Sequence, residues 1–362
     1  MHGNATEGGN RIRVLVVDDS AVMRRLVTQA LVSDPTIDVV ATANNGEVAL
    51  QRIQHYQPDL VTMDVEMPVM NGIDAVRAIR ATGNRVPIIM CSTLTSLGAE
   101  ATLDALTAGA TDYVTKPTGE HTPEQSLQQL AGDIHPKIHA LTGRPRPRSR
   151  AIPAMPVVLP TRPAKPRSGT VQAVVIGAST GGPEALSRVL TAMTHPLPVP
   201  LLIVQHMPPV FTTQLANRLA RLTGADVIEA SGGEALTPGR LYVAPGNKHL
   251  VVRRNTAGAV TAVNDDPPVH FCRPAVDMLF QSAADTYGGN LLGVVLTGMG
   301  TDGRDGALRI KNAGGAIIAQ DEGTSVVWGM PGSVVTAGAA DHVLPIDHIA
   351  TRIEAIVLAG AR

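Results

Sequence analysis

The sequence predicts two α/β domains, each built on a parallel, doubly wound sheet, joined by a basic, proline-rich linker. Three observations carry this expectation. Short apolar runs alternate with stretches of helical spacing in both halves of the chain. The alternation stops over residues 142–170, which hold seven prolines, seven basic residues and no acid. A length of 362 residues suits two domains better than one.

The first pattern covers residues 11–141. Apolar runs at 12–17, 37–41, 60–63, 87–91 and 112–114 read as strands, with helical spacing at 21–31 and 72–80. Five strands in this length fit a flavodoxin-like sheet. The second pattern covers residues 171–362. Runs at 172–176, 201–204, 292–296 and 316–319 read as the strands of a Rossmann-like sheet. Runs at 241–243, 249–252 and 259–263 read as a β insertion, the last two forming a hairpin about a turn at 253–258. The linker cannot continue a packed core. It reads as an extended, semi-rigid tether, or as a docking segment for an acidic surface.

Composition narrows the function classes. Hydrophobic residues make up 44% and charged residues 17%, enough for a real core in each half. The formal net charge of −1 gives no global attraction to nucleic acid or membrane. Aromatics are only 2%, against a base-stacking platform. The two cysteines, Cys91 and Cys272, allow no disulfide framework and no CxxC metal knuckle, and suggest a reducing compartment. The N-terminal stretch has no apolar signal core. No run approaches the roughly 20 apolar residues of a membrane helix. The expectation is a cytoplasmic protein with no membrane insertion and no nucleic-acid partner.

In the first domain, Asp18 and Asp19 follow the first strand, Asp64 the third and Lys116 the fifth. Ligands of open α/β sheets bind at the carboxyl ends of the strands, so these residues converge. Three carboxylates make a hard-oxygen pocket for Mg²⁺. A metal there would offset repulsion as Asp64 attacks a phosphoryl group, and Lys116 would pair with the phosphate formed. Ser92 can hydrogen-bond that phosphate, and Tyr113 can change rotamer with it. The plain alternative for Asp18, Asp19 and Ser20 is a helix cap.

The second domain opens on a strand that runs into Gly177, Ser179 and Gly181 in a G-x-S-x-G spacing, followed by Pro183. This is the pattern of a nucleophile elbow, a tight strand-to-helix turn that lifts a serine to the top of a sheet. Backbone N–H groups there can bind an oxyanion. Dinucleotide binding is the rival. It fails on the missing GxGxxG and on a second strand that ends in Gln205-His206 rather than an acid. His206 is the natural base. Asp302, in a glycine-dense turn after a later strand, completes a Ser–His–Asp set or serves as a helix cap. Arg273 can steer an acidic surface or pair with Asp277 at helical spacing. His249 and His270 read as packing or loop residues. No residue cluster suggests a catalytic metal in this domain.

Read in order, VLVVDDSAVMRR, DLVTMDVEMPVMNG, PIIMCST and YVTKP resemble the response-regulator receiver family. The resemblance implies Asp64 as phosphoacceptor and a Mg²⁺ site of Asp18, Asp19, Asp64 and the Glu66 carbonyl. It implies Ser92, Tyr113 and Lys116 as the phosphate switch. IGASTGG, IVQHMP, LYVAPGNKHL, HFCRPAVDMLF, LTGMGTDG and VWGMPGSV resemble the catalytic domain of the chemotaxis protein-glutamate methylesterases, the CheB family. That resemblance implies Ser179 as nucleophile, His206 as base and acid, and Asp302 as its orienting carboxylate. It places the Met299 N–H and the region of Thr180 near the oxyanion. It implies no cofactor in the esterase domain, a histidine kinase as phosphodonor, and methyl-accepting chemoreceptors as substrates. It also implies that the unphosphorylated receiver covers the active site. A receiver fused to a non-catalytic binding domain, and an esterase of another receptor system, are the competing readings.

Overall fold

Continuous apolar strands layered with helices set the architecture of this computed structural model, which describes residues 11–117, 122–143, 170–194 and 196–359. Apart from Thr142, Gly143 and Thr170, the expected linker lies outside the described residues, as does the stretch 1–10. The described residues fall into two units, one on either side of that linker.

The first unit runs β1 (Ile12–Val17), α1 (Ala21–Val32), β2 (Ile37–Ala43), α2 (Gly46–Tyr56), β3 (Leu60–Asp64), α3 (Gly72–Ala81), β4 (Ile88–Ser92), α4 (Ser96–Thr107), β5 (Asp112–Thr115) and α5 (Pro123–Thr142). Its five strands are parallel in the order β2-β1-β3-β4-β5. Helices cover both faces, so the inner strands read as unbroken apolar runs: Val14, Leu15 and Val16 are all inaccessible to solvent. Each helix starts on a residue whose side chain accepts a first-turn N–H: Ser20, Asn45, Asn71, Thr95 and Thr122. Thr122 and Gln125 form a reciprocal capping box. The chain leaves β1 toward one edge and returns to build the other, so a crevice opens at the carboxyl ends of β1 and β3.

The second unit runs β6 (Ala173–Ala178), α6 (Gly182–Thr191), β7 (Leu201–Gln205), α7 (Phe211–Thr223), β8 (Val227–Glu229), β9 (Leu241–Val243), β10 (His249–Asn255), β11 (Gly258–Asn264), α8 (Val276–Tyr287), β12 (Leu291–Val295), α9 (Arg304–Asn312), β13 (Ala316–Gln320), α10 (Gly329–Thr336), β14 (His342–Leu344) and α11 (Ile346–Ala359). Seven parallel strands take the order β14-β13-β12-β6-β7-β9-β8. Strand order reverses about β6, which pairs with β7 on one side and β12 on the other.

Two expectations change here. Residues 241–243 do not belong to the insertion. As β9 they extend the sheet, Leu201 opposite Leu241. The hairpin of β10 and β11 turns over Thr256-Ala257 alone, because Arg253 still pairs with Val260 and Asn255 with Gly258. Asn255 Oδ1 closes this turn by accepting the N–H groups of Ala257 and Gly258 at 2.9 and 3.0 Å.

Helix α8 crosses β6 so closely that a methyl on Gly177 would stand 2.4 Å from Val276 Cγ1. Gly177→Ala should therefore cost the second unit about 1–3 kcal/mol through overpacking. The check is denaturant unfolding: the midpoint of that unit should fall while that of the first unit stays. An unchanged midpoint would mean that α8 moves aside freely.

Candidate active site and phosphoacceptor site

In the first unit, the crevice at the switch point holds the expected residues. Asp18 follows β1, Asp64 ends β3, Ser92 ends β4 and Lys116 follows β5. Carboxylate oxygens of Asp18, Asp19 and Asp64 lie within 4.8 Å of one another. Lys116 Nζ stands 2.8 Å from Asp18 Oδ2 and 2.7 Å from Asp64 Oδ2. The remaining oxygens are partly used: Asp18 Oδ1 accepts from Ser20 N at 2.9 Å and Asp64 Oδ1 from Val65 N at 2.7 Å. Ser20 caps α1, so the cap reading holds for Ser20, while the Asp18 and Asp19 carboxylates face the crevice group.

A cleft of about 560 Å³ opens here, lined by Asp19, Asp64, Glu66, Ser92 and Lys116 among others. Ser92 Oγ donates to Gly98 O at 3.0 Å, and the buried Tyr113 lies under Lys137, outside the cleft lining. Three carboxylates against one lysine leave a surplus of negative charge. Asp18 Oδ2 is buried and, beyond the ion pair with Lys116, has no well-directed hydrogen bond. Burial pushes the Asp64 carboxyl up to about 6, against the pull of Lys116 and with Asp18 adding to the rise. These residues fit a hard divalent cation such as Mg²⁺.

In the second unit, Ser179 follows β6, His206 follows β7 and Asp302 lies in the turn after β12. The three strands are neighbours, so the three side chains share one carboxyl edge. The turn at the serine is tight. Its left-handed backbone falls on Gly181, with φ 75°, and not on Ser179. Ser179 N donates to Thr297 O at 3.0 Å and His206 N to Ala178 O at 3.1 Å.

Asp302 is only 2% exposed and accepts three hydrogen bonds. His206 Nε2 and Val276 N reach Oδ2 at 2.8 and 2.6 Å, and Asp277 N reaches Oδ1 at 2.9 Å. It is therefore a cap of α8 and the partner of His206 at once. A carboxylate only accepts, so Nε2 carries the hydrogen and Nδ1 is the basic nitrogen. Nδ1 lies 3.5 Å from Cys272 Sγ. Among the described residues, Ser179 Oγ makes no hydrogen bond with His206. Such bonds commonly tighten only when substrate is bound.

The turn after β12 packs onto the serine: a methyl on Gly298 would meet Ser179 Cβ at 2.8 Å. Gly298 is fastened on both sides, its N–H to Val327 O at 2.9 Å and its carbonyl to Met330 N at 2.8 Å. This fixes the backbone from which the half-buried Met299 follows. Thr180 is buried, its carbonyl bound by Thr297 Oγ1 at 2.9 Å.

Two neighbours of the site carry no local signal in the sequence. Gln205 Nε2 donates to Ser179 O at 2.9 Å and His206 O at 3.3 Å, which ties the two strand ends together. Cys272 reaches His206 across 66 positions. Arg273 does not pair with Asp277. Its guanidinium is held by Asn247 Oδ1 at 2.7 Å and the Asp265 carbonyl at 3.1 Å, while Asp277 accepts from Gly306 N at 2.6 Å. His249 is a buried packing residue that accepts from Ala275 N.

Residues 174–353 match the CheB methylesterase family, and residues 14–128 match the response regulator receiver domain. A Nocardioides sp. protein named protein-glutamate methylesterase/protein-glutamine glutaminase is 53% identical over 339 residues, 92% of each chain. The chain belongs to the CheB methylesterase family. An Azospirillum brasilense protein of the same name is 42% identical over 374 residues, covering 96% of this chain and 93% of its own. The crystal structure of the Thermotoga maritima CheB methylesterase catalytic domain is 42% identical, covering 51% of this chain and 97% of that one, with a TM-score of 0.49.

The electrostatics of this CheB-family site favour a charged pair. Burial alone would lower His206. The Asp302 hydrogen bond, the Cys272 contact and the charges of both outweigh it and raise the ring to about 9. Burial pushes Asp302 up, but His206 and the two α8 amides hold it below the usual carboxylate range.

A base must be neutral, and a His raised to about 9 is protonated below that pH. Hydrolytic kcat/KM should therefore fall as pH drops, on a limb with apparent pKa near 9. Cys272→Ala removes one group that raises the ring, so it should move the limb toward lower pH. The measurement is the pH profile of kcat/KM for both proteins. A limb near the ordinary histidine value in the unmodified protein would contradict this.

Proposed function

We propose that this protein is a phosphorylation-activated hydrolase that removes methyl groups from glutamate γ-methyl esters on the cytoplasmic domains of chemoreceptors. The observation that carries the reading is the meeting of Ser179, His206 and the buried Asp302 at adjacent strand ends, in a chain of the CheB family.

In this mechanism His206 Nδ1 takes the Ser179 proton, and Oγ bonds to the ester carbonyl carbon. The Met299 N–H and the turn at Thr180 receive the oxyanion. His206, held by Asp302, returns the proton to the leaving methoxide, and methanol departs. Water, giving a proton to Nδ1, then attacks the acyl-enzyme. Its collapse frees the glutamate carboxylate and restores the Ser179 hydroxyl. A glutamine side chain presents the same carbonyl, so deamidation follows the same path with ammonia as leaving group.

In the receiver, Asp64 Oδ2 takes a phosphoryl group supplied by a histidine kinase. Asp18, Asp19, Asp64 and the Glu66 carbonyl would hold Mg²⁺, whose charge offsets the repulsion between carboxylate and phosphoryl oxygens. Lys116 then pairs with the phosphate. Ser92 turns from Gly98 O to hydrogen-bond the phosphate, and Tyr113 shifts with it. This releases the restraint that the unphosphorylated receiver places on the esterase. Among the described residues no helix is long and apolar enough to cross a membrane, in keeping with a protein that meets the receptors' cytoplasmic parts.

The test is methanol release from a methylated receptor cytoplasmic fragment, with and without acetyl phosphate and Mg²⁺. Ser179→Ala should lower release by at least about 10⁴-fold. Asp64→Asn should remove the stimulation by the phosphodonor. Release that survives Ser179→Ala would sink the esterase mechanism. Stimulation that survives Asp64→Asn would sink the phosphoacceptor assignment.

A further inference from the structure

The chain has three phenylalanines, and they divide sharply. Phe211 and Phe280 are completely buried, whereas Phe271 is fully exposed, at 103% relative accessibility. Phe271 does not sit on a loose loop. Val269 and Cys272 exchange both backbone hydrogen bonds, at 3.1 and 2.8 Å, which leaves His270 and Phe271 as a two-residue hairpin tip. Both tip residues have positive φ, 49° and 63°, where such turns ordinarily use Asn-Gly or a second glycine. His270 turns inward, its Nε2 3.3 Å from Asp277 Oδ2 at the start of α8. The phenyl ring is left in solvent, on a fixed support.

The next residue, Cys272, is the one that touches His206 Nδ1. On the nucleophile side, Val326 closes over the turn: a methyl on Gly181 would meet its Cγ2 at 2.6 Å. Val326 is itself 44% exposed. The large exposed apolar side chains described in this unit are Leu222, Phe271, Val326 and Leu358. Two of these four thus flank the Ser179–His206 pair, one beside the base and one beside the nucleophile.

We propose that Phe271, with Val326 opposite, is the apolar anchor by which the esterase seats its protein substrate. The occupant is the polypeptide segment that carries the ester and presents apolar side chains beside the modified glutamate. A rigid aromatic loses little conformational freedom on binding and contributes most when its ring is fully desolvated by a partner. The γ-methyl ester is neutral, so seating it between two apolar contacts strands no charge. The exposed ring makes no contact with Ser179 or His206, and Phe271 therefore sets specificity for polypeptide and not reactivity. This inference rests on the reading of the site as a protein methylesterase.

The test uses the full chain, activated with acetyl phosphate and Mg²⁺. Phe271→Ala should raise KM for the methylated receptor fragment about tenfold or more. Labelling of Ser179 by a small fluorophosphonate should stay within about twofold, because that probe never meets the ring. Phe271→Leu should recover most of the loss. A KM unchanged by Phe271→Ala would overturn the proposal, as would labelling that falls in step with KM, since the ring would then only support the site. Should neither the unmodified protein nor the variant release methanol, the functional reading itself fails. Binding of the same fragment by the Ser179→Ala and Ser179→Ala/Phe271→Ala proteins then decides on Phe271 alone: weaker binding by the double variant supports the anchor, and equal binding overturns it.

Discussion

The esterase unit depends on one buried anion. Asp302 is held by the first two N–H groups of α8 and by His206, so three donors face its two oxygens. Helix α8 needs it as much as the histidine does. The residue that precedes the helix is Ala275, which offers no side-chain cap, and Asp302 supplies the missing acceptor from the turn after β12. The helix N-terminus in turn favours negative charge. A carboxylate this deep would otherwise take up a proton, since burial penalises the charged form. Hydrogen bonds to charged groups are worth about 1.5–3 kcal/mol each, enough to reverse that tendency when three converge. The packing of α8 across β6 and the orientation of the His206 ring are thus parts of one arrangement.

Asp64 is the instructive contrast. It too is a buried carboxylate at a strand end, yet it is pushed up to about 6 whereas Asp302 is held down. The difference lies in the donors. Asp64 has one amide, from Val65, and shares the Lys116 ammonium with Asp18. Two further carboxylates crowd it. A site with too little positive charge for its acids is suited to taking up a cation or a phosphoryl group together with its metal. A site whose acid is already satisfied is suited to holding a fixed charge under a base. The same parallel-sheet edge produces both, according to how many N–H groups the local turns direct inward.

What the sequence made legible follows from the same physics. Inner strands buried on both faces read as unbroken apolar runs, so β1, β3, β4, β6, β7, β12 and β13 stood out within a residue or two. The three-residue strands β8, β9 and β14 carry too few positions for any period, and Leu241–Val243 passed for part of the insertion. The strand-end residues Asp18, Asp64, Ser179, His206 and Asp302 were legible because the chain places them by topology. For Asp302 the choice between helix cap and histidine partner was a false one, since its carboxylate accepts from α8 and from His206 together. Gln205 and Cys272 were not legible as site residues. Their roles come from side chains that meet only when distant strands align, and Cys272 lies 66 positions from its partner. Arg273 misled for the converse reason. Its spacing to Asp277 is helical, but α8 begins only at Val276, and the arginine turns to Asn247 instead.

The raised pKa of His206 opposes the neutral form that the proposed mechanism needs. With His206 raised to about 9, the protonated ring is favoured at neutral pH. The free site is mostly a histidinium–carboxylate pair, with Nδ1 turned toward Cys272. Anything that removes water from Nδ1 works against the charged ring, because burial is the opposing influence already present. A neutral ester seated over Ser179 would do this, and it would give Nδ1 a reason to exchange the thiol for the serine hydroxyl. On the mechanism proposed above, a neutral ester over Ser179 would shift His206 toward its neutral form and toward the serine hydroxyl together.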